Sequence, residues 1–198
     1  MSRLPSFLAG VALTAAIVIP FTSAARPQDD PRQEMLKRAQ KYVTPGPHHA
    51  KLERFVGKWE TEWTILHGEN RTPPSKGSAE FSWLFEGRWL QQRGTGALLE
   101  MPLESFSLIG YDNFKQSYVS ATASTLDTAL HVNEGDMVRG DQAMIAYGTL
   151  DEYLTGEHDK MVKTIWRFIS KDEMVMEVHD LHIGEQNTQV IEIRYTRK

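Results

Sequence analysis

From Gly57 onward, the apolar positions of this chain recur every second residue. Trp59, Thr61, Trp63 and Ile65 alternate with Lys58, Glu60, Glu62 and Thr64, and Phe81, Trp83 and Phe85 repeat the pattern. This is the period of a half-buried strand. Further strands are expected over 89–95, 105–111, 118–124, 129–133, 143–150, 161–169, 173–183 and 189–197. Turn signals separate most of them: Asp112-Asn113, Glu134-Gly135-Asp136, Arg139-Gly140-Asp141, Thr155-Gly156-Glu157 and Gly184-Glu185. Ten short strands without long helical crossovers predict an all-β fold with an antiparallel sheet, closed as a sandwich or a barrel.

Upstream of Gly57 the period is helical. Asp30 before Pro31 is an N-cap with proline at the first helical position, and Met35, Leu36, Ala39, Tyr42 and Val43 then recur on one face. Pro45-Gly46-Pro47 stops that helix. A second short helix is expected over 48–56, with Leu52, Phe55 and Val56 on one side. Before both lies the apolar run 7–21, preceded by Arg3 and followed by Thr22-Ser23-Ala24-Ala25. It is shorter than the roughly 20 residues a spanning helix needs, and small residues follow it as at a cleavage site. Residues 1–25 therefore read as a signal peptide, which predicts export to the periplasm or beyond. The alternative is an uncleaved N-terminal anchor. The organisation expected is a signal peptide at 1–25, a polar linker and helix at 26–44, and a single β domain at 45–198.

Composition removes several function classes. Among 198 residues, 22 Lys and Arg stand against 26 Asp and Glu, a formal charge of −4, so no basic footprint for nucleic acid exists. The count of Cys is 0, which excludes disulfides, thiolate zinc sites, iron–sulfur clusters and a cysteine nucleophile. No phosphate-binding Gly loop, Gly-x-Ser-x-Gly elbow, His-Glu-x-x-His helix or calcium loop occurs.

Gly57-Lys58-Trp59 at the head of the first strand resembles the Gly-x-Trp signature of the lipocalin and fatty-acid-binding superfamily. The wider set is Pro47-His48-His49-Ala50-Lys51-Leu52, Phe55-Val56-Gly57-Lys58-Trp59, Glu86-Gly87-Arg88-Trp89-Leu90, Gly110-Tyr111-Asp112-Asn113-Phe114-Lys115 and Arg194-Tyr195-Thr196-Arg197. Together these resemble DUF1579, a family of exported bacterial proteins without assigned activity. The resemblance implies a calycin-like, antiparallel up-and-down barrel of about ten strands with two short N-terminal helices. It brings no catalytic residues. In lipocalins the Gly-x-Trp tryptophan sits under a late arginine, which makes Trp59 and Arg197 the expected pair here.

Candidate chemistry gathers in 177–182. On a strand, Met174, Met176, Val178, Asp180 and His182 share one face, so an apolar wall would end in a carboxylate–imidazole pair able to orient a ligand or move a proton. Glu177 and His179 share the opposite face. Two ligands fall short of a zinc site, and no metal site is assigned. The strand 89–95 is polar on both faces. With Arg93 inward it would grip an anionic ligand, whereas with Leu90 inward it would face water. Trp59, Trp63, Phe81, Trp83, Phe85, Trp166 and Phe168 read as inward, either as packing or as cavity lining. The ligand-facing set expected is Trp63, Trp83, Arg93, Tyr118 and Trp166, together with Asp180 and His182. His48-His49 are expected to give one packed and one solvated ring, and His67, His131 and His158 are expected to be solvated near turns.

Four functions are open on this reading. The favoured one is an exported barrel binding a small apolar or amphipathic molecule, with no resident cofactor. The others are an enzyme using His182 and Asp180 as acid–base pair in the same cavity, a haem barrel ligated through His179 or His182, and a cavity-free interaction protein of the envelope.

Overall fold

The computed structural model describes residues 30–67, 69–98, 100–152, 156–181 and 188–198. The expected signal peptide and His182 lie outside them. Helix α1 (Pro31–Val43) is followed by one turn, α2 (Pro47–Ala50), that runs directly into a 3-10 helix at Lys51–Phe55. The strands are β1 (Gly57–His67), β2 (Asn70–Arg71), β3 (Ser75–Leu84), β4 (Trp89–Leu98), β5 (Met101–Asp112), β6 (Ser117–Ser124), β7 (His131–Val138), β8 (Ala143–Glu152), β9 (Glu157–Phe168), β10 (Glu173–Asp180) and β11 (Thr188–Arg197). They pair antiparallel in chain order, and β1 also pairs with β11, with Trp59 opposite Arg197 and Trp63 opposite Ile193. Ten strands thus close a barrel, and the two-residue β2 hangs on the end of β1.

The helices cover one end. Leu52 and Phe55 of the 3-10 helix are fully buried and plug it. Phe55 meets Phe81, Trp166 and Phe168 at centroid distances of 5.0–5.5 Å, the offset and edge contacts that aromatic rings favour. Below it, the Arg197 guanidinium lies 4.1 Å from the Trp59 ring centre, the pair expected from the superfamily. Arg197 also donates to the carbonyls of Val56 (2.6 Å), Arg54 (3.1 Å) and Lys171 (2.9 Å), and Trp59 Nε1 donates to Phe55 O at 2.8 Å. Gly57 has φ +132°, and a Cβ there would collide with the Arg197 guanidinium. The Gly-x-Trp signature is therefore one device: glycine leaves the space in which arginine stacks on tryptophan.

Two sequence expectations are corrected. Glu134-Gly135-Asp136 is the middle of β7, not a turn. Gly135 packs there against the backbone of Ile145 and Ala146, where no side chain fits, so the glycine marks a close approach and not a reversal. Phe85 does not point inward; it sits in the β3–β4 turn, exposed.

Candidate functional site

Along most barrel strands the inward positions change size at the same level. Near the helices they are Phe81 and Trp83 on β3, Leu90 on β4, Ile109 and Tyr111 on β5, Tyr118 on β6 and Met144 on β8, a single apolar cluster. Further along the same strands they become Gly77, Gly94 and Gly96, Ser105 and Ser107, Ser120 and Thr122, Ala146 and Gly148. Small side chains cannot fill a ten-stranded bore. A cavity of about 260 Å³ remains, larger than the roughly 150 Å³ that admits benzene.

The cavity has two chemically different walls. Trp63, Phe81, Trp166, Met176, Val178, Ile191 and Ile193 make the apolar one, contributed by β1, β3 and β9 to β11. Gln92, Ser105, Ser107, Ser120, Thr122 and Ser124, on β4 to β6, make a wall of hydroxyls and an amide. Ser107 Oγ donates to Gln92 Oε1 at 2.9 Å and lies 2.8 Å from Thr122 Oγ1, which satisfies these buried groups and fixes their directions. Farther toward the open end, His131 Nε2 and Asp127 Oδ2 are 2.9 Å apart, and Asp127 Oδ1 accepts from the Ala129 amide at 3.0 Å. Both side chains line the cavity and are about one-fifth exposed. The carboxylate orients the imidazole within the cavity lining. Tyr195 also lines the cavity. Burial pushes its phenol well above the ordinary range, so it stays protonated.

The expected site residues scatter in part. Trp63 and Trp166 line the cavity. Trp83 is on the interior face but at the plugged end, where Nε1 donates to Glu53 Oε2 at 2.6 Å. Tyr118 is there too, its hydroxyl donating to His48 O at 3.0 Å and its pKa pushed up to about 12 by burial. Arg93 is corrected: it lies on the outer face, exposed, with its guanidinium 5.1 Å from the Phe106 ring centre. Leu90, Gln92 and the glycines take the inward positions of β4. Asp180 does face inward, one step beyond Val178, but it pairs with Lys160 Nζ at 2.7 Å. That hydrogen bond raises the Lys160 pKa.

Glu177 and His179 converge on the outer face at 3.1 Å, and Arg167 grips Glu177 through two bonds of 2.8 and 3.0 Å. These contacts hold the Glu177 carboxyl below its ordinary range although burial opposes it. With His179 outward, nothing in its position serves haem inside the barrel. His48 is exposed and stacks on Tyr111 at 4.3 Å, whereas His49 is buried and accepts from the Gly46 amide at 3.1 Å. His131 is the residue that sequence reading misplaced. Its signal was the spacing Asp127-x-x-x-His131 on the approach to a strand, which puts both side chains on the inward side of one hairpin. Among the described residues, no group of three or more acidic or imidazole side chains could hold a metal ion, and no helix is long and apolar enough to cross a membrane.

Comparison with known proteins agrees with this architecture. The model of the protein family of unknown function DUF1579 matches residues 44–197. The crystal structure of Rv2717c from M. tuberculosis superposes with a TM-score of 0.57 at 11% identity, over 78% of this chain and 99% of that one. An S-type phycobiliprotein lyase, CPES from Guillardia theta, superposes with a TM-score of 0.51 at 10% identity, over 78% and 98%. At such identities the likeness is one of fold. No curated protein matches in sequence.

Proposed function

This chain belongs to the DUF1579 family, and from that premise we propose that it is an exported barrel that binds a small amphipathic molecule. The observation that carries the reading is the half-hollow interior, apolar on one wall and hydroxyl-rich on the other. A ligand's ring or short alkyl portion fits against Trp63, Trp166 and Ile191. Its polar end meets the Ser and Thr wall, His131 and the Tyr195 hydroxyl. Burying the apolar part drives binding, and the fixed polar groups select which molecule enters. Export rests on the composition of residues 1–25. A phycobiliprotein lyase shares the fold, which supports a barrel of this size handling small molecules. The enzymatic alternative keeps His182 and Asp180 and gains the His131–Asp127 pair as a second acid–base candidate.

The test is native mass spectrometry on the chain recovered from its own cell, set against the denatured mass. The expected result is a non-covalent adduct that Ser120→Phe, which fills the cavity, eliminates. A bare native mass, together with anilinonaphthalene sulfonate binding that Ser120→Phe leaves unchanged, would overturn the reading.

A further inference from the structure

Helix α1 presents a second feature, unrelated to the cavity. None of its residues is buried. Its apolar stripe is uncovered, with Met35 at 62% exposure, Leu36 at 64%, Tyr42 at 40% and Val43 at 61%. Only its last turn is tied to the barrel: Arg88 donates to Val43 O at 3.3 Å, and Asn113 donates to Tyr42 O (3.2 Å) and Thr44 O (2.8 Å). A 13-residue helix without tertiary packing is marginal in water, so an apolar face this complete implies something that covers it.

Two aromatic residues stand beside that face. Phe114, in the β5–β6 turn, is 76% exposed and meets the Tyr42 ring at 5.2 Å. Phe85, in the β3–β4 turn, is 67% exposed and holds a left-handed backbone, φ 55°, a conformation that is costly for a bulky side chain. Arg88 bonds the Phe85 carbonyl as well as that of Val43, so both turns and the helix end form one rim. Charge then selects the covering partner. The helix carries Arg32, Lys37, Arg38 and Lys41 against the single acid Glu34, in a chain whose total is −4. Glu34 is taken by Arg38 at 3.1 Å, and Lys41 Nζ lies over the Tyr42 ring, 4.6 Å from its centre, whereas Arg32 and Lys37 form no ion pair among the described residues. Glu86 on the rim is offset by Arg88, at 4.0 Å. An exposed apolar stripe with aromatic tips and Arg32 beside it, on a helix with four cations to one acid, matches the interface of an anionic bilayer, in which apolar side chains enter the acyl boundary and Lys and Arg reach the headgroups. We propose that α1, with Phe85 and Phe114, docks the barrel on an anionic phospholipid surface, lying in its plane without crossing it.

The absence of cysteine makes the test specific. Leu36→Cys, on the apolar face, and Lys37→Cys, on the opposite side of the helix, are labelled with an environment-sensitive nitrobenzoxadiazole dye in the chain as the cell processes it. Vesicles of phosphatidylcholine with phosphatidylglycerol should shift the emission at position 36 to the blue and leave position 37 little changed. Salt should reverse the shift. Arg32→Gln, on the stripe's side of the helix, should lower vesicle affinity about fivefold, with the barrel's unfolding midpoint unchanged. No shift at position 36 with these vesicles overturns the proposal. So does a vesicle-independent shift that grows with protein concentration, because it assigns the face to a second copy of the chain.

Discussion

The plugged end and the hollow end of this barrel are made by the same strands, and their side chains solve opposite problems. At the plugged end Phe55 enters from the helices and meets Phe81 and Trp166, and Arg197 closes the floor beneath Trp59. A few residues along, the inward positions are Gly94, Gly96, Ser107, Ser120 and Gly148, and the bore stays open. Strand alternation decides which residues face inward. Side-chain volume at each level then decides whether that interior is core or cavity. The stability of the fold accordingly resides at one end, and the capacity to bind resides at the other.

The largest effect that can break this comparison comes from the plug. Phe55→Ala deletes a fully buried ring and should cost about 3–5 kcal/mol of unfolding free energy, read from urea denaturation. Val178→Ala, on the cavity wall, should cost about 1 kcal/mol, because its neighbours already border empty space. Equal costs would mean that the two ends are not energetically distinct. Next in size is Arg197→Ala. It removes a cation–π contact worth about 0.5–2 kcal/mol and strips the carbonyls of Val56 and Arg54 of their donor. A loss of about 2–3 kcal/mol is expected. Arg197→Lys should restore only part of it, since an ammonium cannot fork between two carbonyls while lying on an indole.

The sequence made the plugged end more legible than the hollow one, for a physical reason. Large residues at period two announce a core, and the Gly57-Lys58-Trp59 signature already pointed to Arg197. Trp63 and Trp166 were placed correctly because they continue that pattern. The cavity is written in what is missing. Gly94, Ser105, Ser107 and Ser120 look like weak strand or turn residues until their shared level is known, and that level depends on the register between strands. Arg93 was ambiguous because β4 is polar on both sides. Only the burial of Leu90 and Gln92 shows which face is inside. Asp180 was read correctly as inward, but its partner Lys160 is a neighbour on β9, and cross-strand partners do not appear in local spacing. His131 was read as a turn residue because Glu134-Gly135-Asp136 imitated a reversal and cut β7 short.

A third prediction sharpens the comparison from the hollow side. Ser120→Phe adds an aromatic ring where the cavity has room, so stability should change by less than about 1 kcal/mol in either direction. Binding of an amphipathic probe such as anilinonaphthalene sulfonate should fall at least about tenfold. At the plugged end a comparable enlargement, Ala79→Phe, faces Phe81 and Trp59 and should destabilise by about 1–3 kcal/mol. Thermal unfolding and probe titration on the two variants separate the ends in opposite directions.

The smallest effect is a pH dependence confined to the plugged end. His49 is buried under Tyr111, and its Nδ1 accepts from the Gly46 amide. Burial, with His48 and Arg88 nearby, lowers its pKa below the ordinary 6.5. The folded chain therefore binds fewer protons at this site than the unfolded chain does. Its contribution to stability is full above pH 6.5 and is lost as the pH falls from there through the lowered value. Protonation would also place a hydrogen on the atom that now accepts the Gly46 amide, so the turn that begins α2 should loosen in the same window. His49→Gln retains a side-chain acceptor without the titration and should flatten the slope of unfolding free energy against pH in that range. Amide exchange should localise the acid-induced opening to residues 46–55, with the Ser and Thr wall unaffected. Loosening of the cavity wall at the same pH would mean that the two ends unfold as one unit and that the division between them holds for packing but not for cooperativity.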